Sequence, residues 1–142
     1  MRLTKRAAQE ELMDERLMHL TPNERAALTA FVDRLREHYG NDLRRVILFG
    51  SKARMDFDDE SDLDLLVVLR MSDNDYWENR RQISAIAGDL DLQYDVVLST
   101  LVVDGLEYSE MRRANLLLNR NLQQDGIELW TSRQSAPTLA SA

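Results

Sequence analysis

Leu28, Phe31, Val32, Leu35 and Tyr39 recur at the spacing of one helix face, which predicts a helix in "LTPNERAALTAFVDRLREHYGND". Its start is marked too: Thr21 can cap the first turn, Pro22 suits the first helical position, and Glu24 closes a capping box. Gly40 supplies a stop. The segment from Lys5 to Leu17 predicts another helix with a less regular apolar face. "RRVILFG" and "DLDLLVVLR" read as short buried strands, and "DNDYWENRRQISAIAGDL" returns to helical spacing through Trp77, Ile83, Ile86, Ala87 and Leu90. "LQYDVVLS" predicts a third strand with Asp95 inside it. Met111, Ala114, Leu118 and Leu122 predict a last helix from Gly105 to Gln124, and "IELW" a short edge strand.

The order α-α-β-β-α-β-α predicts an α/β domain with a small mixed central sheet flanked by helices. The β-β step allows an antiparallel pair, so the sheet need not be all parallel. Residues 1–40 form a helical segment expected to pack on the same domain as a core over 41–130. The small, polar stretch 131–142 is expected to be disordered.

Composition narrows the function classes. A chain of 142 residues with 44% hydrophobic and 30% charged residues fits one soluble globular domain. Without cysteine there is no disulfide framework, zinc-thiolate site or thiol nucleophile, which suits a reducing cytoplasm. No apolar run reaches transmembrane length, so no membrane role is expected. The net charge of −7 argues against broad binding to a phosphate backbone, and direct nucleic-acid binding is not expected. Lysine is scarce: Lys5 and Lys52 stand against 16 arginines, and Lys52 sits next to the most acidic stretch of the chain.

That stretch, "FGSKARMDFDDESDLDLLVVL", carries six acidic residues between Met55 and Leu65 and no basic one. Carboxylates so crowded resist ionising together unless something reconciles them. In a strand, Asp62 and Asp64 point to one face while Leu63 and Leu65 enter the core. Two carboxylates on one face suit Mg²⁺, which takes oxygen ligands and bridges protein carboxylates to substrate phosphates. Gly50 and Ser51 end the preceding strand. Glycine permits close approach, Ser51 adds a hydroxyl donor, and Lys52 and Arg54 offer charge for phosphate, although only one of the two need point inward. Asp95, placed mid-strand beside the second strand, would complete the metal site and accept a proton from an attacking hydroxyl. Together these residues point to phosphoryl or nucleotidyl transfer.

Gly50-Ser51, ten intervening residues and then Asp62-x-Asp64 resembles the GS-x10-DxD signature of nucleotidyltransferases related to DNA polymerase beta. The length, the Asp95 strand and the closing "LQQDGIELW" are similar to the minimal nucleotidyltransferases, antitoxin partners of HEPN-domain toxins. The resemblance covers roughly Arg44 to Trp130. It implies a mixed sheet, Mg²⁺ and a nucleoside triphosphate, usually ATP, with Asp62, Asp64 and Asp95 as the metal-binding carboxylates. It also implies transfer of AMP onto a tyrosine of a HEPN ribonuclease. Met55 stands where many relatives have glycine.

Two other readings compete. One is a binding module that neutralises its partner by masking; the other is a nucleotidyltransferase acting on a small molecule. The bland readings of single residues are these: Asp56, Asp58, Asp59 and Glu60 solvate a loop, His19 and His38 are surface residues, and Trp77 and Trp130 serve core or interface.

Overall fold

The computed structural model describes residues 15–54, 62–114 and 124–132. The side chain of Ser51 lies outside the described set, as do the predicted N-terminal helix before Glu15, the acidic loop 55–61, the helix beyond Ala114 and the tail.

Helix α1, Pro22–Tyr39, begins as the sequence predicts. The Glu24 N–H donates to Thr21 Oγ1 at 3.1 Å, and the Thr21 N–H donates to Glu24 Oε1 at 2.9 Å. Two of the helix's orphan donors are thereby satisfied. Gly40, at φ 54°, ends the helix by donating its N–H to the Arg36 carbonyl. Ala27, Leu28, Phe31, Val32 and Leu35 are buried. Truncating a fully buried phenylalanine such as Phe31 costs about 3–5 kcal/mol.

The strands are β1 (Leu43–Phe49), β2 (Leu63–Leu69), β3 (Leu98–Asp104) and β4 (Ile127–Thr131), in sheet order β3-β2-β1-β4. β1 runs antiparallel to β2 and to β4, and β2 runs parallel to β3. The sheet is mixed, as expected. Between β1 and β2 lies the five-residue helix α2, Gly50–Arg54. The β2–β3 crossover contains α3, Tyr76–Tyr94, and α4, Gly105–Ala114, follows β3.

The two sheet faces carry different loads. Leu63, Leu65, Val67 and Leu69 of β2 join the main core with α1 and α3. Leu66 and Val68 face the other way, into a smaller cluster with Ile47 and Val103 against Tyr108 and Met111 of α4. By the two-residue period, Asp64 shares this second, less covered face. Among the described residues, no helix is long and apolar enough to cross a membrane.

The third strand begins later than expected. The helical spacing Ile83, Ile86, Ala87, Leu90 continues to Tyr94, so "LQY" belongs to α3. Asp95 is the C-cap in left-handed conformation, φ 56° and ψ 53°, a role an aspartate tolerates better than most residues. The Asp91 carboxylate accepts the Leu98 N–H at 2.9 Å and so starts β3.

Candidate active site

The site is organised where β1 turns into α2 and β2 begins. Asp64 stands opposite Phe49 in the antiparallel ladder, so the start of β2 lies beside the end of β1. Gly50 has φ 78°, and a Cβ there would lie 2.2 Å from Asp64 Oδ2 and 3.1 Å from its Cγ. The Asp64 carboxylate therefore rests on the bare backbone of the glycine, a seat no other residue could provide.

Asp62 is exposed and Asp64 half-buried. The Asp64 carboxyl is pushed above its ordinary range by burial and by the negative charge of Asp62, with the Arg54 guanidinium opposing both. Asp62 stands immediately before β2, and two like charges so close, one of them desolvated, form a poor resting arrangement without a cation. Their oxygen chemistry fits a hard divalent ion of the kind that binds through one or two carboxylates plus substrate phosphates. Among the described residues, no group of three or more His, Cys, Asp or Glu side chains gathers at one point.

Of the two cations expected to face phosphate, the structure sets Arg54 toward the acidic pair and turns Lys52 away. Lys52 is buried, 2% exposed, and its Nζ donates to Glu24 Oε2 at 2.6 Å. Its assignment as a phosphate ligand is corrected: in a five-residue helix, successive side chains fan around the axis, and this one points into the α1 packing. His19, read as a surface residue, donates from Nε2 to the Lys52 carbonyl at 2.6 Å. Neither contact has a local signal in the sequence, because the partners are 28 and 33 residues apart.

Asp95 is likewise not the mid-strand residue of the expectation. It is exposed at the end of α3, and its charge is not among those that shift Asp64. It does lie at the same end of the sheet, since the Leu63 N–H donates to the carbonyl of Val97, two residues further on. The cavity of about 320 Å³ lined by Met71, Trp77 and Asp104 lies at the opposite end of β2 and β3, away from this chemistry.

A mixed sheet with one aspartate seated on a glycine-serine turn and the charge of a second beside it points to a nucleotidyl-transfer class of fold and site. Residues 33–129 match the family model described as polymerase beta, nucleotidyltransferase, and the chain belongs to that family. It is a nucleotidyltransferase. It is 34% identical over 110 residues to the putative protein adenylyltransferase MJ0604 of Methanocaldococcus jannaschii, covering 76% of this chain and 99% of that protein. A putative nucleotidyltransferase from Sulfolobus solfataricus shares the fold at a TM-score of 0.53, with 19% identity over 89% of this chain and 88% of that one. A toxin-antitoxin structure with AMP-PNP aligns at a TM-score of 0.43 and 21% identity, over 78% of this chain and 83% of that one. That likeness is too distant to carry an argument.

Proposed function

We propose that this chain transfers AMP from ATP to a hydroxyl group of a partner protein, with Mg²⁺, and acts as an antitoxin. The observation that carries the reading is the seat of Asp64 on Gly50, which puts one carboxylate of the pair against the glycine-serine turn. The relative named as a protein adenylyltransferase supports the acceptor class, because this chain spans nearly its whole length. On the resemblance of the signature, the partner is a HEPN-domain toxin and the acceptor one of its tyrosines.

In this reading Asp62 and Asp64 hold the metal ion. When bound, Mg²⁺ supplies charge neutralisation for the triphosphate. Gly50 lets the phosphates approach the main chain, and Arg54 adds a guanidinium for their oxygens. The acceptor oxygen forms its bond to the α-phosphorus as the bond to the bridging β-oxygen breaks, and pyrophosphate leaves. The acceptor proton passes to a carboxylate. Asp95 is proposed for that role and for the third metal position on the family resemblance, from its place at the same end of the sheet.

The test is incubation with Mg²⁺, ATP labelled at the α-phosphate, and the protein encoded beside this one. Label on the partner that is lost in Asp64→Asn supports the reading. Tight complex formation and inhibition without label would overturn transfer in favour of masking. Asp95→Asn is tested in the same assay: unchanged transfer removes Asp95 from the site while leaving the carboxylate pair in place.

A further inference from the structure

The family match begins at residue 33, yet the turn bearing the signature is tied to residues before it. Leu17 and Leu20 are buried in the main core, so this N-terminal segment is anchored in its own right. From it, His19 donates to the Lys52 carbonyl and Glu24 accepts from the Lys52 ammonium, each at 2.6 Å. Both charged side chains are largely withdrawn from water, at 3% exposure for Lys52 and 12% for Glu24. Glu24 cannot swing freely, because its other oxygen accepts the Thr21 N–H. One turn of α1 reaches the far flank as well: Asn23 Nδ2 donates to the carbonyl of Tyr94, the residue before Asp95, at 3.1 Å.

We propose that His19 and Glu24 are positioning residues that hold the Gly50–Arg54 turn through Lys52, at the distance where Asp64 rests on Gly50. A buried ion pair is a costly way to gain stability, and its better-attested use is to fix one geometry. Here the geometry matters on the scale of an ångström. The Gly50 backbone and the Asp64 carboxylate are already closer than a Cβ would allow. A turn that drifts outward loses the carboxylate's seat, and one that drifts inward collides with it. The segment outside the family-matched region thereby sets the geometry of the family's own signature. This inference rests on the nucleotidyltransferase site proposed above.

The experiment compares the full chain with Glu24→Gln/Lys52→Met, which removes both buried charges together, and with Thr21→Ala, which weakens the start of α1 but keeps the pair. The pair variant is expected to raise KM for MgATP about tenfold and to speed amide exchange at residues 50–54 about tenfold. Thr21→Ala is expected to lower Tm with neither change. His19→Ala buries no new charge and is expected to shift both readouts in the same direction by about threefold, so a pair variant that fails to fold still leaves a decisive arm. Wild-type KM and exchange in the pair variant, or in His19→Ala, would overturn the proposal. Calorimetry on the wild type separates the two levels: absence of MgATP binding sinks the nucleotide site, while exchange at 50–54 still decides whether the turn is held from α1.

Discussion

Gly50→Ala tests the seat of Asp64 directly. Two costs follow from the geometry. At φ 78° an alanine sits in a region that L-residues avoid, at about 1–2 kcal/mol. Its Cβ would also lie 2.2 Å from Asp64 Oδ2, where ordinary contact starts at 3.4 Å, so the carboxylate must retreat by about 1.2 Å. The backbone cannot absorb that shift, because Leu63 and Leu65 on either side are buried in the core and the ladder pairs Asp64 with Phe49. The side chain must therefore leave its rotamer, at about 0.5–1.5 kcal/mol.

The sum is about 2–3 kcal/mol, or a fall in Tm of roughly 6–10 °C for a domain of this size. Transfer should fall about a hundredfold, the usual consequence of moving a reacting group by an ångström. A thermal melt and the α-labelled ATP assay, run well below the variant's Tm, measure the two separately. A double-mutant cycle isolates the contact: in an Asp64→Ala background, Gly50→Ala should retain its backbone cost and lose the clash, giving a coupling of about 1 kcal/mol. Transfer within threefold of wild type, or an equal stability cost in both backgrounds, would refute the reasoning.

The other predictions follow from the charges. Asp62→Asn with Asp64→Asn should abolish the Mg²⁺-dependent rise in Tm and the MgATP binding measured by calorimetry. The metal-free double variant should melt at or above the wild type, because the raised Asp64 carboxyl shows that its ionised form is penalised in the fold. Burial pushes the Glu24 carboxyl up, but the hydrogen bond and charge of Lys52 and the hydrogen bonds from Thr21 bring it below its ordinary 4.5. An acid group so depressed contributes stability that is full above pH 4.5 and lost as pH falls through the lower folded value. Acid melts should show that loss in the wild type and not in Glu24→Gln. Calorimetry should also find ATP without a divalent ion binding at least tenfold more weakly than MgATP, and equal affinities would show that protein cations alone hold the triphosphate.

Local rules made much of this legible. The Thr21-Pro22-Glu24 start of α1, the Gly40 stop and the β4 segment each follow from residues within a few positions of one another. The β1–β2 step was only open to antiparallel pairing in the sequence, and the structure shows that pairing. The structure sets Asp64 against Gly50 with the Asp62 charge beside it, and the spacing from Gly50 to Asp62 and Asp64 was readable in the sequence. Lys52 was not, since its direction depends on which surface the short α2 packs against, and Glu24 lies 28 residues away. Asp95 was misplaced because "DVV" looks like strand. A usable signal was present: Leu90 to Tyr94 continues the helical spacing, and an aspartate is a competent left-handed cap.

The redirection of Lys52 changes the electrostatics of the whole site. With its ammonium paired to Glu24, the cation whose charge reaches Asp64 among the described residues is Arg54, and it acts against the burial and the Asp62 charge that raise that carboxyl. A triphosphate approaching this face meets a net negative surface, on a chain that already carries −7. Among the described residues Arg54 alone does not offset that repulsion, so the proposed function expects the nucleotide to arrive with a counter-ion. On the function proposed above, the same acidity that makes the pair costly would make nucleotide entry conditional on the metal. On the same reading it would disfavour a polyanionic acceptor such as a nucleic acid at this face, in keeping with the proposed hydroxyl acceptor on a protein.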